Sequence, residues 1–123
     1  MINHYKDLLF WQRAFEVHKL VIGICRKLPN DAASSVIVNQ IIRSAGSVGA
    51  NIAEEFGRYK GKEYTRFLQI SLGSANETDY WLLVIADTYP TFKKDIDIII
   101  DRNLETIKML AKSLQTINRS KSI

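Results

Sequence analysis

The chain has 123 residues, seventeen Lys and Arg against thirteen Asp and Glu, and a single cysteine, Cys25. That length makes one domain that buries about two thirds of its unfolded surface without help from a disulfide or a metal, and a lone cysteine cannot form an internal bridge. The net charge of +4 admits nucleic acid as a partner without requiring it. WLLVIA at 81–86, the longest apolar run, is too short to span a bilayer, and the start lacks the pattern of a secretory leader, so a soluble cytoplasmic protein with no membrane role is expected.

Two prolines, Pro29 and Pro90, punctuate strongly periodic segments. A first helix is predicted over about 7–28, with Leu8, Trp11, Phe15, His18, Ile22 and Cys25 on one side and Ala14, Val21 and Leu28 widening that face. LPND ends it, and Asn30 or Asp31 caps a second helix over about 32–56, where Val38, Ile41, Ala45, Val48, Ile52 and Phe56 recur at steps of three and four. Gly57 to Gly61 make a turn. A third helix over about 62–87 carries Tyr64, Phe67, Leu68, Ser71, Ala75, Thr78, Leu82 and Ile85. The fourth, over about 91–118, places Ile96, Ile100, Asn103, Ile107, Leu110, Leu114 and Ile117 in near-strict heptads. Nothing alternates with period two. The pattern predicts an all-α, up-down-up-down antiparallel four-helix bundle over residues 1–118, followed by a frayed basic tail at 119–123.

Within the second helix, SAGSVGANIAEEFGR at 44–58 asks for a reason, because each interior glycine costs about 0.8–1.0 kcal/mol relative to alanine. A hairpin turning near Tyr59 brings Gly46 opposite Leu72 and Gly73, so small residues on both helices permit close backbone approach. The same register predicts an ion pair between Arg43 and Glu77, joined by Gln40. Away from the core, Gln40, Arg43, Ser47, Asn51, Glu54 and Arg58 form a polar stripe on the second helix. On the third, Arg66, Ile70, Gly73, Glu77, Trp81 and Val84 form a back stripe too apolar for an ordinary solvated face. A second copy of the chain is the expected cover, which makes Gln40, Arg43, Gly46, Asn51, Glu54, Ile70, Gly73, Glu77 and Trp81 candidate interface residues. The competing reading folds Trp81 over the edge of a broad core.

Catalytic chemistry is scarce. His18 and Cys25 fall on the apolar stripe of the first helix, where a core role is favoured over ligand or nucleophile. Glu54 and Glu55 lack the Glu-x-x-His pairs that bundle metal sites use, and GRYKGK lacks the spacing of a phosphate loop. No catalytic residue, metal or cofactor is therefore expected. Cationic residues are a softer signal: Arg58, Tyr59, Lys60, Lys62 and Arg66 cluster at the turn between the second and third helices, with Tyr59 and Tyr64 available for stacking. Lys108, Lys112, Arg119 and Lys121 trail down the fourth helix into the tail. They suit phosphate binding, although the residues taken alone favour solvated helix ends whose cations complement the dipole.

The segments LLFWQRAF, IIRSAGSVGANIAEEFGR and YTRFLQISLGSANETDYWL resemble the four-helix-bundle family called S23 ribosomal protein or 23S rRNA intervening-sequence protein, whose relatives include the accessory variability determinant of diversity-generating retroelements. The likeness covers essentially the whole chain. It is most specific at Asn51 to Arg58, similar to N-I-A-E-G-x-G-R, and at Phe67, Leu68, Ser71, Gly73, Ser74 and Glu77, similar to F-L-x-x-A-x-G-S-x-x-E. Glu55 stands where the family commonly has Gly, and Ser71 where it commonly has Ala. The resemblance implies a ring-like homopentamer without known enzymatic activity, from a family whose genes often lie within insertions in ribosomal RNA genes. It also implies two partner classes, RNA or DNA bound directly and a partner protein such as the reverse transcriptase that the retroelement relatives bind.

Overall fold

The computed structural model describes residues 3–56 and 61–122, with side chains over 3–56 and 64–119. Four helices carry the fold: α1 at Leu9–Cys25, α2 at Ala32–Glu55, α3 at Gly61–Thr88 and α4 at Lys93–Ser122. Among the described residues there is no strand. Consecutive helices pack on one another and α4 closes back on α1, so the core lies inside a four-cornered bundle.

Local chemistry sets the boundaries. The His4 ring accepts from the Lys6 amide at 3.2 Å and the Asp7 carboxylate accepts from the His4 amide at 3.1 Å, which closes a 3-10 turn over Tyr5–Asp7. Leu8 is then extended, so α1 begins at Leu9 rather than at Asp7. At its far end, Lys27 and Leu28 donate to the carbonyls of Ile24 and Cys25. The chain tightens and leaves the helix because the residue before Pro29 is disfavoured in the α conformation. Asp31 is the cap of α2, accepting from the Ser34 amide at 2.8 Å and from the Tyr89 hydroxyl at 2.7 Å. That second bond ties the start of α2 to the α3–α4 connection, where Pro90–Phe92 form another 3-10 turn. Helix α4 continues through Ser122, where the sequence predicted an end at Asn118. Neither proline nor glycine interrupts 118–122, and Arg119 and Lys121 suit a helix C-terminus.

The buried positions of α2, α3 and α4 follow the predicted spacing in part: Val38, Ile100 and Ile107 are only half-buried, and Ile37, Ile99 and Thr106, one residue earlier in each case, are buried instead. Ile41, Ala45, Val48 and Ile52 face inward against Leu68, Ala75, Leu82 and Ile85 of α3 and Ile96, Leu110 and Leu114 of α4. Helix α1 differs. Its buried residues are Ala14 and Val21, from the edge of the predicted face, with Val17 and Ile24 beyond that edge, while Trp11, His18, Ile22 and Cys25 are only half-buried and Phe15 is exposed. Because α1 is apolar over most of its circumference, the largest rings are a poor guide to which side points inward. The small Ala14 and the β-branched Val17, Val21 and Ile24 fit the centre, and the rings lie on the flank towards α2.

That rotation explains the glycines of α2. A Cβ at Gly46 would lie 3.1 Å from Cε1 and Nε2 of His18, and one at Gly49 would lie 3.5 Å from Nε1 of Trp11. The glycines therefore admit the α1 rings. The expected apposition of Gly46 with Gly73 is overturned, since a Cβ at Gly73 would meet nothing within 4 Å. What joins α2 to α3 is a row of hydroxyls: Ser44 and Thr78 lie 2.9 Å apart, Ser74 donates to Ser47 at 3.0 Å, and Ser71 donates to the Val48 carbonyl at 3.1 Å. Small side chains let the helices approach, and the paired hydroxyls contribute about 0.5–1.5 kcal/mol each. The expected Arg43–Glu77 ion pair is likewise absent. Arg43 donates to Gln40 at 2.9 Å, while Glu77 accepts from the Trp81 indole at 3.1 Å. Each side chain reaches a partner one turn away on its own helix, at less entropic cost than spanning the seam.

Candidate functional site

Three surfaces hold the residues of interest. The first is the end of the bundle where α1 and α3 begin and α2 and α4 finish. There Asn103 on α4 donates to the Ala75 carbonyl on α3 at 2.9 Å, which fixes the register of these antiparallel helices. Nine residues further along each helix, Arg66 and Lys112 fall at one level, with Lys108 a turn behind; all three are exposed. Of the three, Lys112 lines a groove of about 480 Å³ with Phe10, Tyr64, Met109, Ser113, Thr116 and Ile117. Tyr64 is half-buried, and burial raises its phenol pKa above the ordinary value. Arg58, Tyr59 and Lys60 lie outside the described residues, as does the side chain of Lys62. The described part of the expected cationic cluster is thus Arg66, Lys108 and Lys112, with Arg119 exposed further along α4.

Just inside that end sits a residue that the sequence pattern did not single out as buried. Glu55 continues the inward stripe of Val48 and Ile52, is 1 % exposed, and both of its carboxylate oxygens lack a hydrogen-bond partner among the described residues. A buried carboxyl without a partner costs free energy on any scale, and its position in the last turn of α2 adds an unfavourable term from the helix dipole. The step from Ile52 to Glu55 is the only sequence signal of this, because a charged residue at that spacing reads as the end of an apolar face.

The second surface is the flank between α1 and α2. Trp11 and Phe15 stack with centroids 5.0 Å apart, and Tyr5 meets Trp11 edge-on at 5.1 Å. With His18 these rings wall a groove of about 270 Å³ whose floor is Gly46, Gly49, Ala50 and Ala53. Phe15 is 47 % exposed, with the Lys19 ammonium 5.5 Å above its ring. Desolvation lowers the His18 pKa, which favours the neutral imidazole against α2.

The third surface is the outer face of α3. Ile70 is 40 % exposed, Tyr80 57 % and Leu83 54 %, with Tyr80 set edge-on to Trp81 at 5.0 Å. Gly73 and Glu77 are exposed on the same face, and Trp81 and Val84 are half-buried. On α2, Gln40 and Arg43 are bonded to one another, Asn51 donates to Ser47 at 2.7 and 2.8 Å, and Glu54 is exposed. The candidate interface residues therefore divide: Gln40, Arg43, Asn51 and Glu54 flank the hydroxyl seam, Gly46 lies in the aromatic groove, and Ile70, Gly73, Glu77 and Trp81 lie on the α3 face.

Among the described residues no group of three or more His, Cys, Asp or Glu is placed to hold a metal ion. Burial pushes the Cys25 thiol up to about 11, which disfavours the nucleophilic thiolate. No helix of the described residues is long and apolar enough to cross a membrane.

The architecture defines an all-α protein of four packed helices whose distinguishing features are surfaces: a cationic end, an aromatic groove and an apolar outer face. A sequence profile of the 23S rRNA-intervening sequence protein family matches residues 6–112, and the chain belongs to that family. It is also similar to a solved protein of unknown function from the S23 ribosomal protein family of Bacteroides thetaiotaomicron. The two share 27 % identity over 86 % of this chain and 98 % of the other, with a TM-score of 0.78. No curated protein matches. Neither of these family names carries an enzymatic activity.

Proposed function

We propose that this protein is a non-enzymatic, self-associating scaffold that binds structured nucleic acid, RNA foremost, through the cationic end of the bundle. The observation that carries the reading is that Arg66, Lys108 and Lys112 are exposed towards that end of the bundle, where Lys112 shares a groove with Tyr64; in the sequence Arg58, Tyr59, Lys60 and Lys62 stand just ahead of them. Cations on adjacent helices follow a phosphate backbone, and exposed rings offer stacking to unpaired bases. A single protomer of net charge +4 is a weak polyelectrolyte ligand. Self-association through the apolar face of α3 repeats the patch and multiplies weak contacts by avidity. The family name, which refers to 23S rRNA intervening sequences, supports RNA over DNA.

The test is a fluorescence-anisotropy titration against a labelled ribosomal-RNA-like hairpin and a DNA duplex of equal length. The wild type is expected to bind, and Arg66→Glu/Lys108→Glu/Lys112→Glu to lose at least tenfold in affinity with its helical content unchanged. Equal affinity in that variant removes this surface from the account.

A second reading is favoured by the exposure of Ile70, Tyr80 and Leu83. As a protein adaptor, the chain would dock a partner protein, such as a reverse transcriptase, on this apolar face and would show little affinity for bare nucleic acid.

A further inference from the structure

The α1–α2 groove holds hydrogen-bonding capacity that the fold does not spend. The Trp11 indole N–H, which stands over the bare backbone of Gly49, the Tyr5 hydroxyl and the two nitrogens of His18 find no hydrogen-bond partner among the described residues. Desolvation favours the neutral His18 ring, which offers one donor and one acceptor. Resting on the nucleic-acid reading above, we infer that this groove takes one unpaired base of a bound RNA strand whose phosphates are held at the cationic end. Pockets for drug-sized molecules run to about 300–1,000 Å³, and this one, at about 270 Å³, is on the scale of a single fused ring. Its floor, at Gly46, Gly49, Ala50 and Ala53, carries nothing larger than a methyl group. Its wall is a row of rings that ends in Phe15, 47 % exposed, and a base extends such a row face to face or edge-on. An aliphatic guest of the same volume would displace water from Trp11, Tyr5 and His18 and leave them unpaired, whereas a ring with donors and acceptors on its edges replaces that water.

The charges around the groove set the orientation. On the α1 side, Lys6 follows Tyr5 and is exposed, and the Lys19 ammonium stands 5.5 Å above the Phe15 ring, from which its flexible stem turns to a phosphate once a base takes its place. The acids of that side are committed elsewhere: Asp7 accepts from the amides of Asn3 and His4, and Glu16 meets Arg13 and Arg102. On the α2 side stands Glu54, exposed one turn beyond Ala50. Its carboxylate repels a phosphate but not an uncharged base, and carboxylates accept from base amino groups. The base edge therefore lies towards α2 and the phosphates towards the lysines of α1. Two separate lysines beside an acid are too few to hold a free nucleotide, so the guest is a base tethered in a strand. The cationic end is close by: Phe10 lines the groove that Lys112 shares, and Trp11, the next residue of α1, lines this one.

The test places a fluorescent purine analogue, whose emission is quenched by stacking, at each unpaired loop position of the ribosomal-RNA-like hairpin in turn and, as a control, in its stem. Binding of the wild type is expected to quench a loop position and to leave the stem position unchanged. Phe15→Ala removes the end of the ring row and Ala50→Met fills the floor; both positions are exposed, so both variants keep the fold, which circular dichroism checks. Each is expected to abolish the quenching at saturating protein, and Phe15→Ala to lower hairpin affinity about fivefold or more, the loss of one stacked base. A hairpin that binds with every loop position unquenched, or quenching that both variants retain, overturns the inference and leaves the cationic end standing. Equal quenching of the free analogue nucleotide at the same protein concentration overturns the strand as the guest. A hairpin that does not bind at low salt removes the nucleic-acid reading itself, and the inference falls with it.

Discussion

Replacing Glu55 with leucine should stabilise the protein. The side chain is 1 % exposed, neither carboxylate oxygen has a partner among the described residues, and its neighbours along the stripe are Val48 and Ile52. Removing an unpartnered buried polar group recovers about 1–3 kcal/mol, and burying the leucine that takes its place adds about 1.5 kcal/mol or more. Loss of a negative group from the C-terminal turn of α2 contributes about 0.3–1 kcal/mol, whereas helix propensity is nearly the same for the two residues. Imperfect fit of a branched side chain takes back about 1 kcal/mol, which leaves a net gain of about 2–4 kcal/mol. With a urea m-value of about 1–3 kcal/mol/M for a domain of this size, the unfolding midpoint should rise by roughly 1 M or more with m unchanged. An unchanged or lower midpoint would refute the reasoning, because it would mean that the carboxyl is held by a partner in solution. If Glu55→Leu stabilises the fold while weakening nucleic-acid binding, the carboxyl is kept at the cationic end for function rather than for folding.

The two kinds of glycine should part in the same assay. Gly23→Ala, where a Cβ meets nothing within 4 Å, is expected to stabilise by about 0.5–1 kcal/mol, whereas Gly46→Ala, with His18 atoms at 3.1 Å, should gain nothing or lose stability. Equal gains at both sites would show that α1 does not press its rings on α2. A double-mutant cycle of Ser44→Ala and Thr78→Val should return a coupling of about 0.5–1.5 kcal/mol across the 2.9 Å contact, and additive effects would dissolve the hydroxyl seam. Asp31 supplies the pH test. The Ser34 amide, and then the Tyr89 hydroxyl, hold its carboxyl below the usual carboxylate range. A depressed folded-state pKa gives stability that is fully present above about pH 4 and is lost as pH falls through the folded value. Asp31→Asn should therefore flatten stability on the acid side of pH 4, and an acid limb identical to the wild type would contradict the assignment.

How far the sequence was legible varied with the physics of each element. Pro29, Pro90 and Asp31 act through the local backbone, so they mark helix ends without reference to the rest of the fold. The stripes of α2 and α4 are legible to within about one residue because each of those helices has one apolar and one polar side, and that of α3 because its inward residues recur at steps of three and four. The apolar face of α1 is too broad for that rule: Trp11, Phe15 and His18 look like its centre by size, yet the middle of the bundle takes Ala14 and Val21 from the edge of that face, with Val17 and Ile24 beyond it. That one rotation also hid the purpose of Gly46 and Gly49, since the rings they admit were assigned inward. The partners of Arg43 and Glu77 were missed for another reason. Register places two side chains at one level but does not choose between a neighbour across the seam and Gln40 or Trp81 one turn away. Glu55 escaped notice because a charged residue marks the end of an apolar face by default, and its burial depends on how the helix ends pack. The outer face of α3, by contrast, is visible in sequence as an apolar back stripe, because Ile70 and Val84 break the polar pattern that a solvated side shows.

The measurement that bears most directly on the proposed function is the salt dependence of RNA binding. With a ribosomal-RNA-like hairpin titrated across a salt series, the account predicts that log K falls linearly with log salt. It also predicts that the slope flattens by about one for each of Arg66, Lys108 and Lys112 replaced by alanine, for every protomer in contact with the RNA. No binding at low salt, or a slope that these replacements leave unchanged, would contradict it and turn attention to a partner protein on the α3 face.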